Sequence, residues 1–150
     1  MITGHDFIRL SNRWSALQPP NGDEAVWRTA IGRAYYGAFH IGSAFLTSLG
    51  IQFPKSADQR SIHSFVRMAL SHSADSDIQR AASLLADLHE YRKDADYDLS
   101  AAQHGDQKTA QQCHHTANDI LSLIRNCDAS KHAVIKANIE AWQRIARIGR

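Results

Sequence analysis

The stretch from Asp23 to Gly50 constrains the fold most. At 100° per residue, Trp27, Ile31, Ala34, Ala38, Ile41, Phe45 and Leu49 fall within about 80° of one another, which makes them the apolar face of one long helix. Asp23 or Asn21 suits its N-cap and Glu24 its first turn, and Gly50 follows its last apolar residue. About 26 residues at 1.5 Å each make a rod of roughly 39 Å. A rod of that length must bury its apolar face against other long elements.

The rest of the chain supplies them. Thr3 and Asp6 have capping-box spacing, so a first helix runs from near Thr3 to Leu17, where "QPPNG" ends it. After a loop held by Pro54, a third helix is expected from about Ala57 to His72, with Ile62, Phe65, Val66, Ala69 and Leu70 inside. A fourth runs from Ser76 to Lys93 or a little beyond, with Ile78, Ala81, Leu85 and Leu88 as its seam. "DADYDLSAAQHGD" reads as a polar connection, and a fifth helix starts near Asp106. Ile135, Ile139, Trp142, Ile145 and Ala146 mark a sixth. Three prolines and eight glycines are too few for a β-protein with many turns. The expectation is one all-α domain over residues 1–150, an up-and-down bundle of five to six helices.

A formal net charge of +2 does not by itself argue for nucleic acid. The nine histidines are scattered and read as mostly exposed. Cys113 and Cys127 read as small core residues on one helix, about 21 Å apart and too far for a disulfide. The N-terminal residues lack the apolar run of a signal peptide, and no stretch approaches the ~20 apolar residues of a membrane span. A cytoplasmic protein with no membrane contact is expected. There is no HExxH, no paired CxxC and no Gly-rich phosphate loop, so no metal or other cofactor is expected.

Two segments carry the chemistry. Opposite the apolar face of the second helix, Thr29, Arg33, Tyr36, His40, Ser43 and Thr47 form one continuous stripe. The stripe contains no lysine or glutamate, the usual residues of an exposed helix. Gly32 and Gly37 flank it and would let a backbone or a ligand come close. Arginine offers a planar donor fork, histidine a donor or acid, and tyrosine a stacking face with a hydroxyl. A ligand groove, a homodimer seam and a solvated face all fit this pattern. The second segment is "LHEYRKDADYDL", residues 88–99. Arg92 continues the apolar seam of the fourth helix, and Asp96, four residues on, can face it if the helix persists. Tyr97 follows, and His63 in "RSIHSFV" is a further candidate.

"RAYYGAFH" on a long helix closed by Leu-Gly, with "YRKDADYDL" about fifty residues later, resembles the small prokaryotic stand-alone HEPN proteins (higher eukaryotes and prokaryotes nucleotide-binding), of the RxYYxxFH / RxxADY type. The resemblance spans roughly residues 25–125. It implies a helical bundle, commonly a homodimer, that binds RNA or a nucleotide. It also implies a place in a toxin–antitoxin type system beside a minimal nucleotidyltransferase antitoxin. Many HEPN proteins are metal-independent ribonucleases whose signature is Arg, four to six residues, then His. After Arg92 those positions hold Tyr97, Asp98 and Leu99, whereas Arg33 and His40 match the spacing on the earlier helix.

If RNA is cleaved, His40 is the candidate base or acid, and Arg33 or Arg92 stabilises the phosphorane. Asp96 holds Arg92, while Tyr36, Tyr97 and His63 bind the nucleotide or RNA. A catalytically silent module that holds a nucleotide or a partner, and a purely structural helical homodimer, are the alternatives. Tyr97 is the candidate target if a partner nucleotidyltransferase modifies a tyrosine.

Overall fold

The computed structural model describes residues 1–55 and 59–146. Six α-helices follow in order: α1 (Gly4–Ser15), α2 (Glu24–Ser48), α3 (Gln59–Ser71), α4 (Ser76–Tyr97), α5 (Gln107–Arg125) and α6 (His132–Ala146). Short 3-10 turns at Ala102–Gly105 and Ala129–Lys131 precede the last two helices. No strand occurs among the described residues.

The helix ends follow the local chemistry of the chain. Thr3 and Asp6 form the reciprocal capping box at α1. Asp23 caps α2 by accepting from the Val26 amide at 3.0 Å, Asp75 caps α4, and Asp106 caps α5. Helix α2 ends in a Schellman arrangement. Gly50 takes φ +75, its amide donates to the Thr47 carbonyl at 2.9 Å, and the Ile51 amide donates to Leu46 at 3.0 Å. The expected start of α3 at Ala57 lies outside the described residues.

Helix α2 is the hub, packed by α1, α3, α4 and α5. Ala30, Ile31, Ala34, Tyr35, Ala38 and Leu46 are at most 1% exposed, so the helix is buried over far more than one face. Its other neighbours contribute Val66, Leu70, Leu85, Leu88 and Ile120 to the same core. Helix α1 approaches α2 very closely. A Cβ on Gly37 would lie 2.6 Å from Ile8 Cγ1 and 2.9 Å from the Gly4 carbonyl oxygen. The close approach expected at Gly37 is thus made by a backbone of the same chain, whereas nothing lies within 4 Å of a Cβ built on Gly32. Helix α6 packs beside α3, with Trp142 stacked on His72 (4.8 Å between ring centres).

Three local expectations are corrected. Helix α4 continues through Asp94, Ala95, Asp96 and Tyr97, where a polar connection was expected. Buried Arg28 explains this. It donates from Nη1 to the carbonyls of Ala95 (2.8 Å) and Asp98 (3.0 Å) and from Nη2 to that of Ala101 (3.1 Å), while Glu24 pairs with it at 2.7 Å. These bonds satisfy carbonyls that a helix end leaves without partners. Cys127 lies beyond the end of α5, so the two cysteines do not share a helix; both are free. The histidines are less exposed than expected: His114 is buried, and His63, His89, His104 and His132 are half-buried.

Candidate functional site

The last three turns of α4 place His89, Arg92, Lys93 and Asp96 at one-turn spacings. On α3, His63 and Arg67 share a face in the same way. The two helices pack together, and these faces meet over the middle of α2. The result is a recess of about 320 Å³ lined by His63, Arg67, His89, Arg92, Lys93 and Tyr97.

Tyr35 and Tyr36 of α2 lie behind the lining residues, each in ring contact with His63. The Arg92 guanidinium carbon lies 5.4 Å from the Tyr36 ring centre and 5.9 Å from that of Tyr35, both within cation–π range. Asp96 pairs with Arg92 as an ion pair, 2.7 Å from its Nε. The Tyr35 hydroxyl sits 2.7 Å from Nδ1 of His63. His63 also lies on Phe39, 4.0 Å between ring centres. Thus α2 supplies an aromatic backing whose two tyrosine rings meet edge to face, and α3 and α4 supply the lining side chains.

The charge balance favours an anion. Lys93 pairs with Glu90 at 2.9 Å, and Arg92 with Asp96. Arg67 forms no ion pair among the described residues, and its buried Nε has no hydrogen-bond partner there. Burial lowers the pKa of His63, and the neighbouring charges of Arg92, His89, His40 and Arg67 lower it further. Burial also lowers that of His89, opposed by its hydrogen bond to Glu90. Both imidazoles are therefore neutral at pH 7. Burial pushes the Tyr35 hydroxyl up to about 12.

Of the residues singled out in the sequence, Tyr36, His63, Arg92, Asp96 and Tyr97 gather here. Arg33 and His40 do not line this recess. They gather on the opposite side of Tyr36 around Phe7 of α1. His40 stacks on the Phe7 ring at 5.5 Å, and the Arg33 guanidinium lies 5.5 Å from the same ring. His40 also borders an apolar groove of about 520 Å³ with Ile41, Ala44, Phe45, Leu121 and Ile124.

Sequence reasoning missed Tyr35, Arg67, His89 and Lys93. Arg67 stands one turn from His63, and His89 one turn before Arg92, so the helical spacing was available as a signal. Tyr35 carried no such signal, because it lies outside both the apolar face and the polar stripe.

No helix among the described residues is long and apolar enough to cross a membrane. No curated protein and no solved structure matches the chain. A family model does match: the HEPN domain, over residues 21–127, which takes in α2 to α5 and every lining residue of the recess. With most of its length accounted for in this way, the chain belongs to the HEPN domain family.

Proposed function

We propose that the chain is the nucleotide- or RNA-binding component of a HEPN–nucleotidyltransferase toxin–antitoxin type pair, and that the recess between α3 and α4 takes a phosphate group of the ligand. The observation that carries this is Arg67, whose buried Nε lacks a partner in a recess shared with Arg92 and Lys93. A phosphate fits because its oxygens accept from several arginine and lysine donors at once. Tyr97, which is 75% exposed at the rim, offers a stacking face for a base. Arg33 stands one turn before Tyr36 on α2 and, with His40, extends the basic track toward α1. The family reading adds a homodimer and a cytoplasmic setting.

The test is fluorescence anisotropy with a labelled single-stranded RNA, with AMP as competitor. Arg67→Ala and Arg92→Ala should each weaken binding by about tenfold and lower the salt slope by about one. Arg13→Ala, on the exposed surface of α1, should match the parent chain. Wild-type binding that Arg92→Ala leaves intact would remove the recess from the ligand path.

A second reading is metal-independent RNA cleavage, and one feature favours it. Nδ1 of His89 lies 3.3 Å from the Glu90 carboxylate, which can only accept, so this nitrogen carries the proton and Nε2 keeps its lone pair. A neutral Nε2 on the recess wall can take the 2′-hydroxyl proton as the 2′-oxygen attacks phosphorus and the 5′-oxygen departs, protonated by solvent. Cleavage in EDTA that leaves 2′,3′-cyclic phosphate ends, and is lost in His89→Ala, supports this reading; intact RNA under the same conditions leaves binding alone.

A further inference from the structure

The recess contains a device that fixes the protonation pattern of one of its histidines. Tyr35 is 1% exposed, and its hydroxyl has one hydrogen-bond neighbour among the described residues, Nδ1 of His63 at 2.7 Å. A buried hydroxyl proton needs an acceptor, so the hydroxyl donates and Nδ1 accepts. A neutral imidazole that accepts at Nδ1 carries its proton on Nε2. That Nε2 forms no hydrogen bond among the described residues, and His63 lines the recess.

We propose that Tyr35 is a positioning residue that locks His63 as the neutral Nε2–H tautomer, so that His63 serves as a fixed hydrogen-bond donor to a phosphate oxygen. This rests on the phosphate-binding reading of the recess and deepens it. The titratable and charged groups facing His63 come from three helices: Tyr35, Tyr36 and His40 from α2, Arg67 from α3, and His89 and Arg92 from α4. With two guanidinium groups among these neighbours, an imidazolium at His63 is disfavoured. A neutral donor adds a directed hydrogen bond without adding another positive charge beside Arg67 and Arg92. It also keeps His63 from acting as a proton acceptor, because its one lone pair is taken by Tyr35. The recess wall at this point is therefore selective for a deprotonated phosphate oxygen over any group that must donate.

Two-bond 1H–15N correlation spectra of the full chain read the tautomer directly. The wild type should show His63 with an unprotonated Nδ1 and a protonated Nε2, and Tyr35→Phe should collapse this to an averaged pattern. Inorganic phosphate and AMP should each shift the His63 Nε2 signal of the wild type. Tyr35→Phe should weaken AMP binding by about threefold. His63→Gln, whose side-chain nitrogen reaches the place of Nε2, should stay within about twofold of wild type, whereas His63→Asn should lose as much as His63→Ala. A wild-type His63 protonated on Nδ1, or averaging between forms, overturns the proposal even if phosphate binds. The expected tautomer with no response to phosphate or AMP overturns the phosphate reading and the donor role with it. The wild-type spectra decide both questions even if a variant fails to fold.

Discussion

Arg28, one turn into α2, donates to the carbonyl of Ala95 on the last turn of α4 at 2.8 Å, across 67 positions of sequence. It reaches Asp98 and Ala101 as well, so one buried guanidinium gathers the carbonyls that end α4. Removing it leaves several of them without partners and leaves Glu24 unpaired. Arg28→Ala should cost about 3 kcal/mol by urea denaturation, more than most surface changes. The loss should appear first as amide-exchange fraying at Ala95 to Ala101.

The helix contact at Gly37 predicts a pair of opposite effects. Gly37→Ala would set a methyl 2.6 Å from Ile8 Cγ1 and force α1 away from α2. It should destabilise the fold by about 1–3 kcal/mol. Gly32→Ala, five residues earlier in the same helix, meets nothing within 4 Å and should stabilise it by about 0.5–1 kcal/mol. Thermal melts of the two variants should move in opposite directions.

Much of the fold was legible because helix caps and apolar periodicity are local properties. Thr3 with Asp6, Asp23, Asp106 and Gly50 all mark ends that the structure keeps. The end of α4 was not legible, because the side chain that completes it sits on α2, 67 to 73 residues away in sequence. The site divides in the same way. A helical wheel gives the angle of Arg33, Tyr36 and His40 about α2, but not which neighbouring helix covers each sector. Helix α1 covers the Arg33 and His40 side with Phe7, while Arg92 from α4 covers Tyr36. Tyr35 was invisible as a site residue, since a tyrosine between two helix faces has no pattern until its neighbours are known.

Acid should destabilise the chain through its buried and half-buried histidines. Burial lowers the pKa of His63, His89 and His114 below the ordinary value of 6.5. The unfolded chain then binds protons more readily than the folded one just below that value. Stability is full above about pH 6.5 and falls as the pH drops toward the folded-state values. Denaturation midpoints measured from about pH 7.5 to about pH 5 should decline, and His63→Gln should flatten part of the slope.

Thiol labelling should separate the two cysteines. Burial raises the Cys113 thiol to about 12, and the residue is 1% exposed. Cys127 is half-buried beyond the end of α5, with its pKa raised by burial and by Asp75. Ellman's reagent should therefore modify one thiol per native chain, that of Cys127, and a second only on unfolding.

Tyr35 and Phe39 are at once in ring contact with His63 of the recess and part of the buried centre of the bundle. On the proposed reading of the recess, the consequence is that recognition has no separate foundation. A substitution such as Leu85→Ala, in the same core cluster, would leave a void behind that aromatic layer, and on the proposed reading ligand selectivity would drift with it. A chain built this way can retune what it recognises from the inside, by small volume changes behind the aromatic layer, without altering a single contacting side chain.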